Sequence, residues 1–232
     1  MLFVACFDSW SYVRFSNDDR LAGAALLGPV ANYWWPGFPA NVSKAAWDEQ
    51  LVPDQWAVRV AHYAPWLTYW WNTQKLFPGS SVMAQRPHLF SPGDLKVLHK
   101  FKSRGHYMVR VLLLSLFVPE IRIYSIFHLF FEPDQGQILQ QGEHNSLHRD
   151  MMVGFGHWEF DPMDLENPFP NGEGSVHLWH GAEDRIVPVI MSRYLAQKLP
   201  WVQYRELPDA GHMFPLADGM ADIIVRSLLL GD

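Results

Sequence analysis

Residues 176–188 read VHLWHGAEDRIVP and residues 207–215 read LPDAGHMFP, and the pairing of these two stretches decides the fold. In the first, a strand is predicted over 176–180 and gives way to a loop carrying Asp184. That loop ends at Pro188, from which a helix is predicted to residue 199 with Ile190, Tyr194 and Leu195 on one side. In the second, residues 201–207 alternate as a strand does and a loop carrying His212 follows. Asp218 is then expected to cap a last helix whose Met220, Ile223, Ile224 and Leu228 share a face. Strand, helix, strand, helix predicts an α/β fold, a parallel sheet with covering helices whose ligands gather at the carboxyl ends of the strands. Two adjacent parallel strands would bring Asp184 and His212 together. A buried carboxylate that accepts the Nδ1 proton of histidine holds the ring's tautomer and stabilises the imidazolium formed when Nε2 takes a proton from a nucleophile. Other readings stand beside this one. Asp184 would also suit a helix N-terminus or a pairing with Arg185, Glu183 is a neighbouring carboxylate, and His212 would also suit a turn.

Upstream, residues 20–30 read RLAGAALLGPV, a short apolar run ended by Gly28-Pro29, as in a fully buried strand of a parallel sheet. Residues 33–101 are dense in tryptophan and proline. Helices are predicted near 43–51, 54–64 and 92–100, with Asp54 and Ser91 as N-caps and Pro92 at a first helical position. Such an excursion, apolar on more than one face, predicts a cap laid over the sheet, or a helical subdomain that only packs. Residues 146–153 read as a helix closed by Gly154 and Gly156. The expected organisation is a separate segment 1–19, a core strand over 20–32, a helical cap over 33–145, and the α/β core over 146–232.

The 232 residues are 49% hydrophobic, enough to bury a core in one domain. A net charge of −6 leaves no basic stripe to neutralise phosphates, which excludes nucleic acid as the expected partner. The single cysteine, Cys6, forms no internal disulfide. A reducing compartment, the cytoplasm, is the expectation, and Asn41-Val42-Ser43 is an idle sequon. No signal peptide is expected at the start. Residues 111–131 are long enough to span a membrane, but Pro119, Glu120 and Arg122 lie at their middle. A charge there costs about 2.5–3.5 kcal/mol, so membrane association is a minor reading. His144 and His148 stand at i and i+4 beside Glu143 without a third ligand, and a solvated or ion-paired helix face is expected there instead of a metal site. No phosphate-cradling glycine loop is present, and no cofactor is expected. The aromatic residues of the cap suit stacked sugars, an acyl group, or simply a core.

HGAEDRIVP followed by DAGHMFP resembles the last two strands of the α/β-hydrolase superfamily. The wider text, RLAGAALLGPVANYWWPGFP, QWAVRVAHYAPWLTYWWNTQ, LHRDMMVGFG and EFDPMDLENPFP, is similar to a set of plant α/β-hydrolases of the serine type. The likeness covers residues 20–110 and 141–232. It implies the C-terminal half of that fold with a Trp-rich helical cap, Asp184 as triad acid, His212 as triad base, and a small-molecule ester or amide as substrate. Two features depart from the pattern. The nucleophile elbow Gly-x-Ser-x-Gly occurs nowhere, and Cys6, Ser9 and Ser11, in the corresponding region, have no flanking glycine. Residues 1–19 do not match, and the early strands that would bring an oxyanion-hole amide are not expected. The chain is therefore expected to be N-terminally truncated and catalytically inactive, or to be a non-catalytic binding or scaffold protein. Residues 111–140 separate Arg110 from Gln141, which adjoin in the pattern, and show no period. They start with valine and end with glutamine, as a translated intron can, so a retained intron is expected there, with an extra lid hairpin as the alternative.

Overall fold

The computed structural model describes residues 2–5, 10, 23–82, 84, 86–103, 121–123 and 145–230. Its centre is a five-stranded sheet in which every pairing is parallel, with strand order β3-β1-β2-β4-β5. The strands are β1 (Leu2–Ala5), β2 (Gly23–Leu27), β3 (Ile121–Ile123), β4 (Val176–Gly181) and β5 (Val202–Leu207). Ala24 lies opposite Val176 across the β2–β4 ladder, and Val176 opposite Val202 across the β4–β5 ladder.

The middle strands are buried on both faces because helices cover both, which explains why β2 is an unbroken apolar run without alternation. Successive side chains still go to opposite sides. Ala24, Leu26, Val176 and Leu178 join Met191, Leu195 and Leu199 of the helix α6 (Val189–Lys198) and its end. Ala25, Leu27 and Trp179 meet Ile224 and Leu228 of α7 (Met220–Leu230). Leu26, Leu178 and Leu195 are fully buried, each contributing about 1.5–3 kcal/mol relative to exposure.

Between β2 and β4 lie α1 (Ala40–Glu49), α2 (Val52–Tyr63), α3 (Thr68–Thr73), α4 (Pro92–Ser103) and α5 (Asn145–Phe155). Ser91 caps α4 as expected, its Oγ accepting from the Asp94 amide at 3.1 Å, with Pro92 leading the helix. Asp54 does not cap. The preceding Val52-Pro53 begins α2 and leaves Asp54 in its first turn, buried. Helix α5 continues through Gly154 to Phe155. The final helix starts at Met220, after Gly219 at φ +77°, so Asp218 lies outside its cap position. Its amphipathic face is narrower than the sequence suggests, for Ile223 is 49% exposed.

The two stretches outside the resemblance both contribute strands: β1 falls within residues 1–19, and β3 within residues 111–140. The sheet thus has two strands on the far side of β2 where none was expected. The rest of 111–140 lies outside the described residues. Among the described residues no helix is long and apolar enough to cross a membrane.

Candidate functional site

The loops after β4 and β5 leave the sheet at the same edge and touch. Glu183 N–H donates to Ala210 C=O at 2.9 Å, and Ala182 N–H to Leu207 C=O at 2.9 Å. Gly181 is required at this crossing, since a Cβ there would overlap the Ala210 and Gly211 carbonyl oxygens. The loops bring His212 Nδ1 to 2.7 Å from Asp184 Oδ2, with both side chains buried. The carboxylate divides its work. Oδ1 accepts from the Ile186 and Val187 amides at 2.8 and 2.9 Å, a local turn that holds the side chain, while Oδ2 faces the imidazole. Asp184 thus forms a local turn with one oxygen and contacts His212 with the other. Glu183 is exposed and does not compete.

Three residues that sequence reasoning missed complete the surroundings. His180, one helical turn before Asp184 in number but on β4, is fully buried with Nε2 at 3.2 Å from Asp184 Oδ2 and at 3.1 Å from the Val187 carbonyl oxygen. Its Nδ1 lies 2.8 Å from Ser192 Oγ, so the ring carries its proton on Nε2 and accepts from the serine. Asp94 accepts from the His212 and Met213 amides at 3.2 and 2.7 Å, and thereby ties the histidine loop to the start of α4. Gly28, at φ +51°, lies where a Cβ would approach His212 Nδ1 to 3.4 Å and Asp184 Oδ2 to 3.5 Å. The signal for Asp94 was present in the text, because Ser91-x-x-Asp94 has the spacing of a capping box. His180 and Gly28 carried no signal without the sheet register.

Electrostatics follow from this packing. Burial pushes the Asp184 carboxyl up, but the His212 and His180 rings overcome it and hold the group below the usual carboxylate range. Burial pushes His212 down, and the Asp184 carboxylate, helped by Asp94, overcomes it and leaves the ring above its ordinary value. With Nδ1–H donated to Asp184, Nε2 is the nitrogen available for proton transfer.

His212 lines a cavity of about 710 Å³, counting the part continuous with solvent, between the strand-end loops and the helical region. Val30, Val58, Met151 and Phe155 give it apolar walls, with Tyr33 and Asp54 among its polar members. Burial pushes the Tyr33 phenol well up, and the nearby carboxylates add to this, so the hydroxyl stays protonated. Among the described residues no three His, Cys, Asp or Glu side chains cluster as metal ligands. His148 is buried against the Tyr69 ring, centroids 5.0 Å apart, so of the solvated or ion-paired face expected there the solvated placement does not hold for this residue. His144, Glu143, Cys6, Ser9 and Ser11 lie outside the described residues.

No family model matches the chain, and no curated protein matches it in sequence. Solved structures that it is similar to include a candidate non-heme bromoperoxidase of Mycobacterium tuberculosis, at 13% identity and TM-score 0.47, covering 99% of this chain and 66% of that one. The esterase RhEst1 of a Rhodococcus species is at 13% identity and TM-score 0.46, covering 97% and 62%. An α/β-hydrolase from a deep-sea metagenome library of the Medee basin is at 14% identity and TM-score 0.40, covering 99% and 62%. The chain therefore spans less than two thirds of the length of these solved chains.

Proposed function

We propose that this chain is a hydrolase-like α/β protein whose Asp184–His212 pair is the acid and base of a Ser-His-Asp site for esters or amides, and that the chain by itself is catalytically silent. The observation that carries the reading is the 2.7 Å contact between His212 Nδ1 and Asp184 Oδ2 beside a cavity that His212 itself lines. That geometry prepares Nε2 to remove a proton from an attacking hydroxyl and to return it to a leaving group. Silence follows from the sequence, which holds no Gly-x-Ser-x-Gly turn to present such a hydroxyl. In this reading the plant resemblance reflects ancestry, and a longer protein would carry the elbow.

The test is hydrolysis of an activated ester by the purified chain against His212→Ala, together with a serine-directed fluorophosphonate probe. Equal background rates and no labelling are expected. Labelling at Ser9 or Ser11, abolished in His212→Ala, would show a working hydrolase with an unorthodox elbow.

A second reading is favoured by the same missing elbow. The apolar cavity is intact, so the chain would bind a small molecule without transforming it. An esterase-competent upstream reading frame at the gene would speak for the first reading, and stable expression without one for the second.

A further inference from the structure

We propose that the cavity beside His212 binds a primary ammonium group carried on an apolar chain, with Asp54 Oδ2 as its anchor. Asp54 is 4% exposed, projects from the first turn of α2 and lines the same cavity as His212. Its Oδ1 is fixed by two donors, Ser80 Oγ at 2.8 Å and the Ser81 amide at 2.6 Å. Oδ2 is buried and among the described residues finds no hydrogen-bond partner. Withdrawing a carboxylate oxygen from water without a donor is among the costliest arrangements a protein can hold, and such an atom is retained where a bound group completes it. The two donors on Oδ1 prevent the carboxylate from turning away, so Oδ2 keeps one orientation.

The surroundings decide which donor. Among the described residues no lysine or arginine lines the cavity, and the basic side chain that does, His212, is already paired with Asp184, which leaves the missing positive charge to a ligand. A neutral hydroxyl would give one hydrogen bond but leave the charge uncompensated. An ammonium supplies a donor and the charge together. The Val58, Met151 and Phe155 walls suit the carbon chain behind it. A carboxylate ligand would face Asp54 with like charge and is excluded. Under the hydrolase reading, on which this one extension rests, the ligand is a substrate, an ester or amide bearing an amine. The binding itself does not rest on it.

The experiment uses the purified full chain at neutral pH with three probes of one length, n-hexylamine, 1-hexanol and hexanoate, measured by calorimetry. Hexylammonium should bind about tenfold or more tightly than hexanol, a difference on the scale of one charge-assisted hydrogen bond, and hexanoate should bind least. Asp54→Asn keeps the shape and the acceptor used by Ser80, and it should lower hexylammonium affinity by about tenfold while leaving hexanol within about twofold. Val58→Phe fills the cavity one helical turn from Asp54 and should weaken both amine and alcohol; it serves also if the Asp54 variant does not fold. Equal affinity for the three probes, no binding of any, or hexylammonium binding unchanged by both variants would overturn the proposal. The pattern expected here, found in a chain that hydrolyses nothing, would leave the ammonium site standing and sink the hydrolase reading alone.

Discussion

His180 Nε2 and His212 Nδ1 converge on one oxygen of one buried carboxylate, Asp184 Oδ2, at 3.2 and 2.7 Å. The Asp184 carboxylate is therefore held from three sides: by two turn amides on Oδ1, by the His212 ring, and by a second histidine anchored through Ser192. His180 does not line the cavity, and its action on His212 is through Asp184.

His180→Ala should destabilise the chain by about 2–4 kcal/mol, combining the lost packing of a fully buried ring with polar groups on Asp184 and Ser192 left short of a partner. Urea unfolding monitored by tryptophan fluorescence checks this. His180→Gln offers a donor of similar reach and should recover part of the loss. A loss under about 0.5 kcal/mol in the alanine variant would mean that the ring's contacts contribute nothing net.

The fold and the pair were legible in the sequence for a common reason. The strand-loop-helix text around Asp184 and His212 is local, and a parallel arrangement of the strands leaves little choice about where their following loops go. What was not legible depends on long-range register. His180 reads as one more residue of an apolar strand until β4 is placed between β2 and β5 and the ring is seen to face Ser192. Asp54 has the composition of a helix cap, and only the return of residues 80 and 81 onto it shows a buried acceptor instead. The strands β1 and β3 lack any signature of their own, since four or three residues carry too short a period to be distinguished from loop.

The protonation of His212 should depend on Asp184 in a stated direction. In the native chain the ring titrates above its ordinary value, and in Asp184→Asn, where burial acts without the carboxylate, it should titrate below it. Two-dimensional NMR of the histidine ring nitrogens reads both. A raised folded pKa means that His212 contributes stability that is fully present below its unfolded value and is lost as pH rises through the folded one. Asp184, depressed in the fold, contributes stability present above its unfolded value and lost as pH falls through the folded one. Stability carried by the pair should therefore be greatest between the two unfolded values, roughly pH 4 to 6.5. A His212 titration unmoved by Asp184→Asn contradicts the pairing.

Gly28 should resist substitution for two separable reasons. Its φ of +51° is left-handed, and a Cβ there would stand in van der Waals contact with the pair, which leaves no room beyond it. Gly28→Ala should cost about 1–2 kcal/mol from the backbone alone. Gly28→Val adds two methyls directed at His212 and Asp184, and should displace the ring as well as strain the chain. Comparing the His212 ring chemical shifts of the two variants separates the effects: alanine should leave them near native and valine should move them. Identical shifts in both would show that the crowding is relieved elsewhere.

Asp94 is the point at which α4 holds the histidine loop, because one carboxylate accepts from the His212 and Met213 amides and from the Ser91 amide at 3.0 Å. It is 1% exposed, and Gly211 beside it leaves room for no side chain. Asp94→Asn keeps the volume but substitutes an N–H₂ for one acceptor oxygen. The amide must then present a donor toward backbone N–H groups that also donate. The expected loss is about 2–3 kcal/mol, the range for leaving buried donors unsatisfied. The location of the effect matters more than its size. Amide hydrogen exchange should quicken at His212 and Met213 while β4 and β5 amides stay protected, since the β4–β5 ladder does not depend on Asp94. Uniform quickening across the sheet would instead make Asp94 a general contributor to stability and remove it as the specific support of the histidine loop.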